Sequence, residues 1–380
     1  MISAESFIKA AGKHGFSLYS GVPCSYLKPF INYVIDDPEL TYIGAANEGD
    51  AVAIASGAHL GGKRSVVMFQ NSGFGNAVSP ISSLNMIFNI PVLIITTHRG
   101  EPGGPQDEPQ HDLMGHMTDS LFDIMKVPHE IFPREEHEIE AALNRAVTHM
   151  DKTGTPYGFI MKKDTVASHT LQSKPVVKPI SAQLSAPERF STSLPTRREV
   201  LTQIVESTTE KDILFATTGF SGRSLYAVKD RPNHLYMVGS MGCIPVLGLG
   251  FALARPDLKT IVIDGDGAAL MRLGAYATVG YERPANLLHI LIDNEVHDST
   301  GGQSTVSHSV DLAAVAAACG YPKVIRAKSV TEIFELCKNP ISECTFVHIK
   351  TAPGEPKDLP RPKVTPIQVT ERLMSLVQSL

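Results

Sequence analysis

An α/β fold of two doubly wound parallel-sheet domains is predicted by three features of the chain. Short β-rich runs alternate with helical patterns along both halves, as in stacked βαβ units around a parallel sheet. The length of 380 residues, with 43% of them hydrophobic, suggests two domains with a sizeable core. Midway, the pattern dissolves into Ser, Pro, Lys and Thr and then resumes. One layout is therefore used twice: a first domain over 1–163, an extended linker over 164–195 and a second domain over 196–380.

In chain order, the first half reads as strands at FSLYS, LTYIG, SVVMFQ, PVLIIT and YGFIM. Helical spacing places helices between them near 3–13, 25–35, 48–61, 75–88, 116–126 and 135–150. The second half gives strands at DILFATT, HLYMVG, TIVIDG, NLLHILID, KVIRA and TFVHIK. Its helices are expected near 196–208, 222–229, 243–254, 267–280, 310–319, 330–338 and 366–379. No short internal repeat is present.

Composition excludes several function classes. A formal charge of −5 without a block of Lys and Arg argues against a nucleic-acid footprint and for a small partner. Cys24, Cys243, Cys319, Cys337 and Cys344 form no CxxC pair and sit mostly in apolar runs, so they read as reduced thiols rather than a zinc site. The opening MISAESFIKAAGKHGF mixes Ser, Glu, Lys and His at helical spacing and has no apolar run of signal or membrane-span length. A cytoplasmic protein without a membrane partner is expected.

The chemistry gathers at strand ends in the second half. The run IVID leads into Gly265-Asp266-Gly267 and then a helix, the place where open α/β sheets receive ligands. Asp266 would repel a phosphate directly, and a divalent cation between them removes the conflict. About 26 residues on, LLHILID ends at Asp293-Asn294, where a second strand end can lie beside the first. Magnesium takes hard oxygen ligands in octahedral geometry and is usually shared between one or two protein groups and phosphates. Asp266, the Asn294 side-chain oxygen and a backbone carbonyl near Val296 suit that set. The arrangement thus asks for a magnesium-bound diphosphate, although GDG alone is a common turn. The competing dinucleotide string, GLGFALA at 248–254, lacks the third glycine and lies in an apolar helix pattern.

GDG followed at that distance by Asn resembles the fingerprint of the thiamine-diphosphate-dependent 2-keto acid decarboxylases. Members usually carry Asn-Asn-Gly where this chain has Asp-Asn-Glu, which leaves the role of Glu295 open. NEGDAVAIASG, from 47 to 57, resembles the family's catalytic Glu motif. The resemblance implies the thiamine-diphosphate-binding fold, with a pyrimidine domain first, a diphosphate domain second and no central domain. It further implies that Glu48 faces the aminopyrimidine, while Asp50 reads as a complement to its helix dipole. In GSMGC, the Gly239 carbonyl, Ser240 and Met241 would hold the bent cofactor, with ordinary core as the lesser reading for Met241. Gly265, Asp266, Gly267, Ala268 and Asn294 complete the implied cofactor set. The site would form between subunits, so at least a homodimer is implied.

SGVPCSYLKPFIN, QNSGFGNAVSPISSL, THRGEPGGPQDEPQHDLMG and DNEVHDSTGGQST extend the resemblance to the compact phosphonopyruvate decarboxylases over nearly the whole length. What it implies is conversion of phosphonopyruvate to phosphonoacetaldehyde and carbon dioxide in phosphonate biosynthesis. After carbon dioxide leaves, a positioned donor must return a proton, and His111 and His297 are candidates. Each reads equally as a surface loop histidine. Arg99, Ser25, Ser299 and Thr300 are candidates for the phosphonate, and the Gly-rich loop 100–115 has the length of a closing lid. Sulfopyruvate decarboxylation, carboligation of the acetolactate synthase type and a non-catalytic regulatory role remain the alternatives.

Overall fold

Every apolar run of the first half becomes a strand in the computed structural model, which describes residues 1–185, 193–354, 356 and 358–380. These are β1 (Phe16–Gly21), β2 (Thr41–Gly44), β3 (Arg64–Phe69), β4 (Leu93–Thr97) and β6 (Tyr157–Met161). The remaining strand, β5 (His129–Ile131), has no apolar run to mark it: it is three residues long and lies at the sheet edge. All six pair in parallel, in the order β2-β1-β3-β4-β6-β5. The order reverses between β1 and β3, which opens a crevice at their carboxyl ends.

Helices cover the sheet close to where the periodicity places them. In the helix Glu48–Leu60 every residue but His59 is buried, and the Asn47 side chain caps it by accepting from the Asp50 amide at 3.1 Å. The helix expected over 75–88 is not continuous. Phe74–Pro80 passes through a π-helical turn, Ile81–Asn85, into Met86–Phe88. Pro80 lacks the amide that an α-turn would use, and the wide turn follows it. Phe7, Phe30, Phe132 and Phe159 pack edge-on or tilted at the centre of one core layer.

The chain divides into two units, Met1–Val176 and Val177–Leu380. The expected linker is structured in much of its described part. Val166 bridges to Ile2, and the Asp36 carboxylate accepts from the amides of Gln172 and Ser173, so the stretch up to Val176 is fastened to the first unit. Gln183–Leu184 forms β7, and 186–192 lie outside the described residues.

The second unit adds β8 (Asp212–Ala216), β9 (His234–Tyr236), β10 (Lys259–Gly265), β11 (Leu287–Asp293), β12 (Val296–His297), β13 (Gln303–Ser304), β14 (Lys323–Ala327) and β15 (Thr345–Lys350). Its parallel sheet runs β7-β14-β15-β11-β10-β8-β9, with the order reversing between β8 and β10. β12 and β13 form a short antiparallel hairpin outside it. GLGFALA lies within the buried helix Ile244–Ala254, where a Cβ on Gly248 would stand 2.3 Å from Val262. That glycine serves helix-on-strand packing, away from any strand-to-helix turn. The helix expected over 267–280 breaks at Arg272 and Leu273 into Asp266–Met271 and Gly274–Glu282. All five cysteines are free thiols, four of them buried. No helix among the described residues is long and apolar enough to cross a membrane.

Candidate active site

In the first unit, Glu48 opens its helix immediately after β2 and is 9% exposed. Its Oε2 accepts from Asn76 Nδ2 at 2.8 Å. The other carboxylate oxygen lies over Gly73: a Cβ there would stand 1.9 Å from Oε1. Asn71, fully buried at the carboxyl end of β3, ties that turn to β4. It donates to the Arg99 carbonyl at 2.8 Å and to Thr118 Oγ1 at 3.0 Å, and accepts from the Arg99 amide at 3.1 Å. Asp50 is fully buried and accepts from Asn47 Nδ2 at 3.1 Å, a more enclosed place than a dipole complement needs.

Arg99 and Ser25 meet at the carboxyl ends of β4 and β1, with Nη1 donating to Ser25 Oγ at 3.3 Å. The guanidinium is also committed to a bidentate pair with Asp107 and stacks on the Tyr26 ring. Arg99 therefore carries no unmatched charge; the hydrogen bonds and charge of each partner hold the Asp107 carboxyl low and Arg99 high. The loop 100–115 closes tightly at its base, since a Cβ on Gly115 would stand 1.7 Å from the Gly100 carbonyl oxygen. His111 lies at that base, 5% exposed, and its Nδ1 has no hydrogen-bond partner among the described residues. A surface-loop histidine is thereby excluded for His111.

In the second unit, β10 and β11 run side by side with Gly265 in register with Ile292, so Asp266 and Asn294 both follow neighbouring strand ends. Asp266 is 4% exposed, and its Oδ2 accepts from Thr305 Oγ1 at 2.5 Å and lies 3.2 Å from Ser307 Oγ. Burial pushes its carboxyl up, and the nearby Asp293 adds to that against the two hydroxyls. Asn294, 5% exposed, donates to Asp298 Oδ2 at 2.6 Å, and its oxygen accepts from the Val296 amide at a long 3.4 Å. Asp298 is itself anchored by Arg197 Nη2 at 2.8 Å.

Around the GDG turn the candidate residues converge. A Cβ on Gly267 would stand 2.5 Å from the His297 ring and 3.4 Å from Met241 Cε. These two side chains thus meet over one glycine. Gly239 and Ser240 both have left-handed φ, at 65° and 42°, and Ala268 presents its carbonyl to Gly242. Ser299 approaches Gly219, where a Cβ would stand 3.6 Å from its hydroxyl. Thr300 is exposed and bonds within its own loop, to Gln303 Oε1 at 2.9 Å.

The donor set suits a magnesium-bound diphosphate. A buried carboxylate raised by its surroundings gains from a cation, and Asn294 keeps an amide oxygen open. At the β8 end of the same crevice, the buried Thr217 hydroxyl has no hydrogen-bond partner among the described residues, and the Thr217 methyl lies 3.8 Å from where a Gly265 Cβ would be. Among the described residues, no group of three or more His, Cys, Asp or Glu forms a metal site of its own. The cation would therefore need phosphate oxygens to complete its shell. Gly73, Asn76, Thr217, Thr305 and Ser307 were not expected as part of either half-site. Gly73, Asn76 and Thr217 lie in runs the sequence singles out but without a role there, and Thr305 and Ser307 depend on where the chain returns.

Residues 1–121 match the family described as thiamine pyrophosphate enzyme, N-terminal TPP binding domain, and residues 218–350 match its C-terminal TPP binding domain. Over 99% of the chain it is 41% identical to phosphonopyruvate decarboxylase of Streptomyces viridochromogenes, covering 95% of that protein. It is 27% identical to sulfopyruvate decarboxylase of Methanosarcina acetivorans, with 97% and 96% covered. Among solved structures, benzoylformate decarboxylase from Polynucleobacter necessarius superposes with a TM-score of 0.71 at 11% identity, over 93% of this chain and 99% of that one. That likeness concerns the fold alone.

Proposed function

The chain belongs to the phosphonopyruvate decarboxylase family of thiamine pyrophosphate enzymes, and from that premise we propose that it converts phosphonopyruvate to phosphonoacetaldehyde and carbon dioxide. One C–C bond breaks and one C–H bond forms, so one proton is taken up per turnover. The observation that carries this reading is the placement of Asp266 and Asn294 at neighbouring strand ends beside the β8/β10 reversal. Thiamine diphosphate, when bound, supplies the sink for the electron pair that carbon dioxide leaves behind.

The chain's own groups divide the remaining work. In the second unit, the diphosphate side, Asp266, the Asn294 oxygen and the Val296 carbonyl would hold magnesium, while Gly265, Gly267 and Ala268 line the turn. Gly239, Ser240 and Met241 would shape the cofactor seat. In the first unit, the pyrimidine side, Glu48, its carboxylate fixed by Asn76, would be the acid that holds or gives up a proton beside the aminopyrimidine. Arg99 and Ser25, with Ser299 and Thr300, receive the phosphonate, and Arg99 does so by sharing or leaving Asp107. His297, packed against Gly267 and Met241, and the buried His111 are the candidates for the proton donor. Each site joins the first unit of one subunit to the second unit of another. Reduced, mostly buried thiols fit a cytoplasmic setting.

The test separates chemistry from binding. Glu48→Gln is expected to lower turnover of phosphonopyruvate by at least about 100-fold while magnesium-dependent cofactor binding, followed by calorimetry, persists. Unchanged turnover would remove Glu48 from the mechanism and the assignment with it.

A further inference from the structure

Asn294, the amide expected to bind magnesium, is flanked by two acids. Asp293 is fully buried, Glu295 is partly exposed, and Asp266 adds another buried carboxylate at the neighbouring strand end. Like charges so close in a poorly solvated place repel strongly unless something answers them. The answer comes from β15. Lys350 is paired in register with Asp293, and its Nζ lies 2.7 Å from Asp293 Oδ2 and 2.6 Å from Glu295 Oε1. His348, two residues back and so on the same face of the strand, places Nε2 2.9 Å from that Asp293 oxygen.

The backbone gives an independent sign that this contact matters. Glu295 has φ of 64°, a left-handed conformation that glycine adopts freely and a glutamate does not. The contact its side chain makes there is the ion pair with Lys350. The cluster also reaches the metal side. Asp293 Oδ1 accepts from Ser307 Oγ at 2.9 Å, and Ser307 Oγ lies 3.2 Å from Asp266 Oδ2. The Glu295 carbonyl accepts from the Thr305 amide at 2.8 Å, which returns the hairpin so that Thr305 can meet Asp266.

We propose that Lys350 is a positioning residue for the magnesium-diphosphate site: by clamping Asp293 and Glu295 it fixes Asn294 between them and, through Ser307 and Thr305, orients the Asp266 carboxylate. The proposal rests on the thiamine diphosphate reading above. It also accounts for the acids on both sides of Asn294, which a lysine on the adjacent strand compensates.

The test is a double-mutant cycle on the full-length protein, read as calorimetric affinity for thiamine diphosphate with magnesium and as the melting temperature of the cofactor-free protein. Lys350→Met removes the ammonium shared by Asp293 and Glu295, leaving the buried Asp293 with His348 and Ser307 and Glu295 without its ion pair, and is expected to weaken cofactor affinity about 10- to 100-fold, the range for groups that support metal ligands. Adding Asp293→Asn removes that buried charge, and the double variant is expected to return to within about threefold of wild type. Should Lys350→Met not fold, Lys350→Gln keeps a donor without the charge and is expected to behave the same way. Wild-type affinity in the lysine variant, even with a lowered melting temperature, would overturn the proposal and leave Lys350 a purely structural residue. So would a double variant no better than the single one. A wild-type protein that binds no cofactor at all would instead sink the family function, and the positioning role with it.

Discussion

At the scale of single residues, Glu48 and Gly73 form one device. A Cβ at position 73 would occupy the place of the Glu48 carboxylate, yet Gly73 has φ of −86°, which any residue can adopt. The atoms in its way belong to the movable end of a side chain. Gly73→Ala is therefore expected to fold normally, with a melting temperature within a few degrees of wild type, while losing about 100-fold or more in turnover because Glu48 is displaced. Turnover near wild type would mean that Glu48 acts from some other position. Asp266 and Asn294 were singled out in the sequence because they follow apolar strand runs, and Glu48 because its surroundings resemble the family's catalytic Glu motif. Gly73 and Asn76, and likewise Thr305, Ser307 and Lys350, were not. Their roles depend on where a later turn or a neighbouring strand returns, which no local pattern encodes.

At the scale of elements, the helix Glu48–Leu60 shows how burial creates pH dependence. Partial burial pushes the imidazole of His59, which is half-buried, down to about 4, helped by the nearby Arg64 and opposed by Asp151. Its folded pKa thus lies below the unfolded value of about 6.5, so its contribution to stability is complete above about pH 6.5 and is lost as pH falls toward 4. Between pH 7 and 4.5 this one group should remove about 2–3 kcal/mol from the cofactor-free fold. His59→Gln is expected to flatten that part of the stability-pH curve, measured by denaturant titration at several pH values. Parallel curves for the two proteins would show that His59 is solvated. His234, lowered by burial to about 3, titrates in both proteins and cancels in the comparison. Long apolar runs and helical spacing made most elements readable. Among the exceptions were β5 and the two-residue strands β7, β12 and β13, too short to signal, the π-helical turn after Pro80, and the helix break at Arg272.

At the scale of the whole molecule, the proposed assignment puts Glu48 in one unit and Asp266 with Asn294 in the other. The proposed sharing of sites between subunits makes a specific prediction. Glu48→Gln and Asp266→Ala should each be inactive, but dissociating and mixing them should recover about a quarter of wild-type activity, because half the mixed dimers' sites draw both intact halves. No recovery after verified subunit exchange would place both halves of each site in one chain. The repeated α/β layout and the cofactor were legible from the alternation of elements and the GDG-to-Asn spacing. The charge state of Arg99 was not, since its pairing with Asp107 appears only when the loop folds back. The measurement that tests the central claim most directly is the kcat/KM for carbon dioxide release from phosphonopyruvate, sulfopyruvate and pyruvate, with and without thiamine diphosphate and magnesium. The account predicts turnover that requires both cofactors and is highest on phosphonopyruvate. Preference for sulfopyruvate would contradict the substrate, and no release from any of the three would contradict the decarboxylase itself.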